Sequence, residues 1–202
     1  MKYIIGEIHG NYKLYKQMLS LIGFSDADEL YPVGDMIDRG DMGVEVLYDM
    51  SMRYNVFPVL GNHEYAAAQV LLEQKRDPQP AIKKWYELGG EVTHRGFMKL
   101  DPELREGLVE YLADLPLYEE VMIGDIKYVL THSAQTALPE EFQDHVRIYG
   151  KTAGCKGDCT KIGNTRIKEG GRMSNDRKNI EIASGRGLCA LCLDNGREFY
   201  VF

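Results

Sequence analysis

Gly34-Asp35-Met36-Ile37-Asp38-Arg39-Gly40 follows the apolar run Leu30 to Val33, and Gly61-Asn62-His63-Glu64 follows the run Val56 to Leu60. Both runs are β-prone, and both end in glycine and a polar cluster. The pattern starts earlier, where Lys2-Tyr3-Ile4-Ile5 leads into Gly6-Glu7-Ile8-His9-Gly10. It returns later, where the run Lys127 to Thr131 enters His132-Ser133. Helical stretches separate the first three strands. Asn11 is placed as an N-cap, Leu14, Met18 and Ile22 recur at i, i+4 and i+8, and Gly23 stops the helix. Gly43 to Arg53 and Glu64 to Gln74 read as the next two helices. This alternation predicts an α/β fold with parallel strands joined by crossovers. The carboxyl ends of such strands share one edge, so the polar clusters converge there.

Beyond Gln74 the pattern changes. Asp77-Pro78-Gln79-Pro80 breaks the helix, and Ile82 to Leu88 is a short helix closed by Gly89-Gly90. Asp101-Pro102 opens another through Leu104, Leu108 and Leu112. Strands follow at Val121 to Ile123, Lys127 to Thr131, Val146 to Tyr149, Ile180 to Ala183, Leu188 to Leu193 and Glu198 to Phe202. Asp194-Asn195-Gly196 is a hairpin turn. The expected organisation is one domain over 1–202, with a helical cap insertion at about 76–117 and a flexible Gly/Lys/Arg-rich loop at about 151–178. Trp85 reads as an anchor for the cap, and His94 as a helix or loop residue.

Composition sets the boundaries. The chain has 202 residues, 44% hydrophobic and 27% charged, which excludes a disordered or collagenous chain. No apolar run is long enough to span a bilayer, and the first residues read as a strand rather than a secretory signal. The expected location is cytoplasmic. With 24 basic and 31 acidic residues the net charge is −7, which argues against general nucleic-acid binding. Lys151 to Lys178 runs against that balance, with eight basic and three acidic residues. It reads as a solvated loop or as a surface that attracts anions. Cys155-x-x-x-Cys159 and Cys189-x-x-Cys192 are a candidate four-thiolate zinc site, or else the second pair is packing on a late strand.

Carboxylates, imidazoles and an amide on one sheet edge are ligands for hard or borderline divalent metals. Such a site suits metal-assisted hydrolysis, in which two metals bridged by a carboxylate clamp a phosphoryl group. Arg39 offers a planar fork for phosphate oxygens, and His63 oriented by Asp38 can protonate a leaving oxygen. Gly34-Asp35-x-x-Asp38-Arg39-Gly40 followed by Gly61-Asn62-His63-Glu64 resembles the calcineurin-like metallophosphoesterases. Within them it is more similar to the bacterial and phage serine/threonine phosphoprotein phosphatases. Trp85 before Gly89-Gly90, Leu115-Pro116-Leu117-Tyr118 and the strand into His132 add to that resemblance.

The resemblance implies a four-layer sandwich of two mixed β-sheets flanked by helices. It implies His9 and Asp35 at a first metal, with Asp35 bridging to a second held by Asn62 and His132. Arg39 and Asn62 would bind the phosphate, and His63 paired with Asp38 would be the general acid. The metals implied are one or two divalent ions, manganese first, with iron or zinc as alternatives. The implied reaction is hydrolysis of a phosphomonoester, on a phosphorylated protein or a small phosphate ester, by a metal-activated water. Three positions depart from the pattern. Glu7 replaces an aspartate ligand, keeping the carboxylate with one more methylene. Gly150-Lys151-Thr152 stands where the family has Gly-His-Thr, and an ammonium has no lone pair for a metal. Ala183-Ser184-Gly185 replaces Asp-Thr-Gly. Arg147 is a stand-in for a missing phosphate arginine that no motif supports, and His145 or the basic loop could compensate for the weakened second site. Lys151 could itself supply positive charge to the substrate. The alternatives are a pseudo-phosphatase that binds a phosphorylated or anionic partner, and a nucleotide or dinucleoside polyphosphate hydrolase.

Overall fold

The computed structural model describes residues 1–72, 79–133, 146–151, 161–165, 168–169, 172–173, 179–183 and 187–202, with side chains in 1–72, 79–133 and 187–202. The first half runs β1 (Lys2–Ile5), α1 (Tyr12–Ile22), β2 (Glu29–Pro32), α2 (Gly43–Ser51) and α3 (Asn62–Leu72). Then come α4 (Gln79–Glu87), α5 (Glu91–Lys99) and α6 (Pro102–Ala113). The strands β3 (Tyr118–Ile123), β4 (Ile126–Ser133), β5 (Val146–Lys151), β6 (Lys161–Thr165), β7 (Lys168–Glu169) and β8 (Arg172–Met173) follow. The last are β9 (Asn179–Ala183), β10 (Leu188–Cys192) and β11 (Glu198–Val201).

Two mixed sheets result. One has the order β11-β10-β1-β2, with β1 and β2 parallel and β10 antiparallel to both its neighbours. The other has the order β3-β4-β5-β9-β6, with β4, β5 and β9 parallel and antiparallel strands at its edges. Strand alternation sends side chains to two separate cores. Tyr3 and Ile5 of β1 join Tyr15, Met18, Leu47 and Met50 under the helices. Ile4, between them, joins Val121 and Leu130 of the second sheet. The first sheet is therefore covered on both faces, which is why β10 is buried along its whole length. The α/β sandwich expected from the sequence is the fold observed.

Local signals explain most boundaries. Asn11 Oδ1 accepts from Leu14 N at 3.2 Å, and Gly23 ends α1 in the left-handed conformation. Asp101 caps α6 in the same way, at 3.0 Å from Leu104 N. Trp85, Phe97, Leu108 and Leu112 of α4–α6 belong to the same buried cluster as β1 and α1.

Four expectations need correction. Val56 to Leu60 is an extended segment beside β2 rather than a full strand. Phe57 N donates to Leu30 O at 2.8 Å and Val59 N to Pro32 O at 3.0 Å. The rung between them would need an N–H that Pro32 lacks. Second, a further helix, α5, follows Gly89-Gly90, where the sequence pattern marks no separate element and His94 reads as a helix or loop residue. Third, the described parts of 151–178 include three short strands. Of these, Lys161–Thr165 pairs antiparallel with Asn179–Ala183, and β7 pairs with β8. Ladder bonds use backbone groups, so a polar, glycine-rich stretch can pair without an apolar signal. Fourth, Cys189 and Cys192 lie on opposite faces of β10, one in each core, so they cannot share a zinc ion. Burial pushes the Cys189 thiol up to about 12, which keeps it protonated and unsuited to metal binding. Cys155, Cys159 and His145 lie outside the described residues.

Away from the sheet edge, Asp49 ties α1 to α2. It accepts from Tyr12 Oη at 3.3 Å, Tyr15 Oη at 3.2 Å and Lys16 Nζ at 2.8 Å, and pairs with Arg53. Burial pushes its pKa up, but the bonds to Arg53 and Lys16 outweigh that and hold it at about 2. A carboxyl depressed in the folded state stabilises above its ordinary pKa, and that contribution is lost as pH falls toward 2. Asp49→Asn is therefore expected to cost about 1 kcal/mol near neutral pH. Thermal melts of the two proteins should converge only as the pH reaches about 2.

Candidate functional site

Among the described residues, the non-glycine residues with positive φ are His9, Asp35, Asp38 and Arg39, at 46°, 53°, 70° and 64°. All four belong to the polar clusters at the carboxyl ends of β1 and β2. Left-handed backbone at such residues costs roughly 1–3 kcal/mol each and persists only where the surroundings enforce it.

Glu64 enforces it. Its carboxylate has no exposure to solvent and accepts four backbone N–H groups. Oε1 takes Met36 N at 2.8 Å and Ile37 N at 3.1 Å, while Oε2 takes Asp35 N at 2.9 Å and Gly61 N at 3.1 Å. One side chain from the first turn of α3 thus locks the loop after β2 against the start of the helix. Burial and the neighbouring Asp35 charge push its pKa up to about 7, against the pull of the backbone donors. A Cβ on Gly61 would lie 2.3 Å from Asp35 N and 2.4 Å from Glu64 Oε2, so only glycine fits. Sequence reasoning quoted Glu64 and gave it no role. The available signal was its place in the first turn of a helix that starts at the sheet edge.

Asp35 stands at the centre, fully buried. Its Oδ1 lies 3.3 Å from His63 N and 3.4 Å from His132 Nε2, and its Oδ2 accepts no hydrogen bond, with His63 Nε2 3.7 Å away. Around it the imidazoles are oriented. His132 Nδ1 lies 2.9 Å from Val33 O and so donates there, which turns the Nε2 lone pair toward Asp35 and, at 3.1 Å, toward Asn62 Oδ1. His9 is held alike, with Nδ1 at 3.3 Å from Ile37 O. Its Nε2 is an acceptor, because Arg39 Nη1, which always carries its protons, lies 2.8 Å away. The same Nε2 is 3.2 Å from Glu7 Oε2 and 3.9 Å from Asp35 Oδ2.

Imidazole and carboxylate acceptors therefore converge around a buried carboxylate oxygen that accepts no hydrogen bond, an arrangement that favours a bound cation. The ligand atoms of His9, Asp35 and His63 lie within 4.8 Å of one another, as do those of Glu7, Asp35 and His132. Asp35 is common to both groups. Glu7 reaches both His9 and the His132 side. The donor set of imidazole and carboxylate fits divalent metal ions.

His63 and Asp38 form the second pair. Both are fully buried, and His63 Nδ1 lies 2.8 Å from Asp38 Oδ2. Burial opposes the charged imidazole, but the Asp38 bond and the charges of Asp35, Asp38 and Glu64 outweigh it, so the His63 pKa is raised. Its Nε2 faces the site, with Arg39 Nη2 at 3.4 Å. Lys151 closes β5 with its backbone in register with Ser133, next to His132. That puts its backbone at the His132 end of the second sheet, whereas the other three clusters end strands or segments of the first. Asp38 Oδ2 also accepts from Trp85 Nε1 at 2.9 Å, a contact the sequence reading of Trp85 as a helix anchor missed.

The family model for calcineurin-like phosphoesterases matches residues 3–153. The chain is 31% identical over 150 residues to serine/threonine-protein phosphatase 2 of Salmonella typhimurium, covering 74% of this chain and 62% of that protein. Over 64 residues it is 45% identical to the symmetrical bis(5'-nucleosyl)-tetraphosphatase of Wigglesworthia glossinidia brevipalpis, covering 31% of this chain and 24% of that protein. The matched part is thus less than two thirds of either relative's length. A metallophosphoesterase from Sphaerobacter thermophilus has a similar fold, with a TM-score of 0.56 at 16% identity, over 98% of this chain and 86% of that one. Among the described residues no helix is long and apolar enough to cross a membrane.

Proposed function

The chain belongs to the calcineurin-like phosphoesterase family, and from that premise we propose that it hydrolyses phosphomonoesters, as a serine/threonine phosphatase or small-ester phosphatase. The observation that carries this reading is the pairing of the Glu7, Asp35 and His132 ligand group with a buried His63–Asp38 pair whose Nε2 lies 3.7 Å from Asp35. A module that only binds an anionic partner has no use for an oriented acid. We read residues 1–202 as one domain working in the cytoplasm, where buried thiols such as Cys189 and Cys192 stay reduced.

We assign Glu7, His9, Asp35, Asn62 and His132 as the residues that hold one or two divalent ions, with manganese the first to try. When bound, the metal polarises the phosphoryl group and lowers the pKa of a water. The chain's own residues do the rest. Arg39 forks onto two phosphate oxygens, and Asn62 donates to a third. Lys151, at the end of β5, contributes positive charge to the same anion. His63 gives the proton on Nε2 to the leaving oxygen, while Asp38 fixes the ring through Nδ1.

A second reading, hydrolysis of dinucleoside polyphosphates, is favoured by the 45% identity over the 64 residues shared with the tetraphosphatase. A panel with excess manganese separates the two, using a phosphoserine peptide, an aryl phosphate and a dinucleoside tetraphosphate. Our reading expects kcat/KM for the phosphomonoesters to exceed that for the tetraphosphate at least tenfold. The reverse order would reassign the substrate, and turnover of none would favour the anion-binding module.

A further inference from the structure

We propose that Trp85 is a positioning residue for the acid pair: its indole N–H fixes the Asp38 carboxylate against His63. The inference rests on the role proposed for His63, and it concerns a residue given only a packing task by its sequence context.

Three contacts from one corner hold the Asp38–Arg39 loop. Trp85 Nε1 donates to Asp38 Oδ2 at 2.9 Å. Asp38 N donates to Thr93 Oγ1 at 3.1 Å, and Arg39 N to Gly89 O at 3.2 Å. The donors and acceptors come from the end of α4, its Gly89-Gly90 turn and the first turn of α5. The side chains of Trp85, Thr93 and Asp38 are all buried. Asp38 and Arg39 hold a left-handed backbone, and these contacts are what the loop gains in return.

The bond to Asp38 is specific in its chemistry. Asp38 Oδ2 receives both Trp85 Nε1 and His63 Nδ1, while Oδ1 has no partner. Without the indole N–H, a buried carboxylate would be held by the imidazole alone and could rotate. A charge-assisted bond from a rigid, fully enclosed ring removes that freedom. The ring itself is fixed from two sides. His94 lies against it, with centroids 5.3 Å apart, and is pinned by Tyr86 Oη at 2.9 Å. On the indole nitrogen, a Cβ at Gly90 would stand 2.1 Å from Nε1, so glycine is required for the ring to reach Asp38. A tryptophan that merely anchored a helix would need none of this around its nitrogen.

Trp85 is the one tryptophan of the chain, so replacing tryptophan during expression by β-(3-benzothienyl)alanine exchanges a single N–H for sulfur and keeps the ring shape. The expected result, with an aryl phosphate and excess manganese, is a kcat lowered about 10-fold to 100-fold at nearly unchanged KM, as for other partners that orient a reacting group. Trp85→Phe should match it in kcat and also lose thermal stability. Unchanged kcat in the sulfur analogue would overturn the proposal. An independent arm needs no turnover. The single indole 15N–1H resonance should stand downfield in the parent chain and move upfield in Asp38→Asn. A resonance indifferent to Asp38→Asn would also overturn it. If the parent chain turns over no phosphate ester while the resonance shifts, the bond stands and the hydrolase reading is what fails.

Discussion

His63→Asn is expected to lower kcat by about 10²–10⁴-fold with KM little changed. The imidazole acts only as the leaving oxygen takes its proton, so its removal affects the transition state and not substrate binding. Asparagine keeps a donor near Asp38 Oδ2, which limits structural damage at a fully buried position. An aryl phosphate with a good leaving group should suffer less than an alkyl phosphate, because it needs less protonation. Steady-state kinetics on both esters check this. Equal losses on the two would mean that His63 serves the metal group it shares with His9 and Asp35 instead.

Asp35→Asn carries two expected effects of opposite sign. Metal affinity should fall by at least about 100-fold, because the one carboxylate common to both ligand groups loses its charge. Turnover should fall with it. The metal-free protein, however, should become more stable. Asp35 is fully buried with one oxygen unpartnered, and its charge pushes up the pKa of Glu64, the mark of mutual repulsion. Removing that charge relieves the repulsion with Glu64, and the asparagine oxygen still accepts from His63 N. A gain of about 1–2 kcal/mol would raise the melting temperature by roughly 2–8 °C. Calorimetric manganese titration and thermal melts in chelator check the two halves. A variant that lost both metal and stability would point to Asp35 as a structural residue.

The frame of the site was legible before any coordinates because its signals are local and repeated. The first three polar clusters each follow an apolar run and are flanked by glycine, and parallel alignment brings them to one edge, while His132 reaches them from β4 of the second sheet. Asn11 and Asp101 caps and the Asp194-Asn195-Gly196 turn are likewise short-range chemistry, and each forms where its residues stand. What escaped the sequence was long-range. Glu64 grips N–H groups 27 to 29 positions away, and Trp85 reaches an aspartate 47 positions back. Neither partner can be named from spacing. The strands β6 to β8 escaped for another reason, since ladder pairing leaves no mark on a stretch of glycine and charge. The zinc reading failed on geometry, because a separation of three along a strand puts two cysteines on opposite faces.

Phosphate release from an aryl phosphate by the metal-stripped chain, before and after manganese is returned, tests the central claim most directly. The account predicts none before addition, release after it, and loss of that release in His63→Asn. Release at the same rate with and without metal, or equally from His63→Asn, would contradict it.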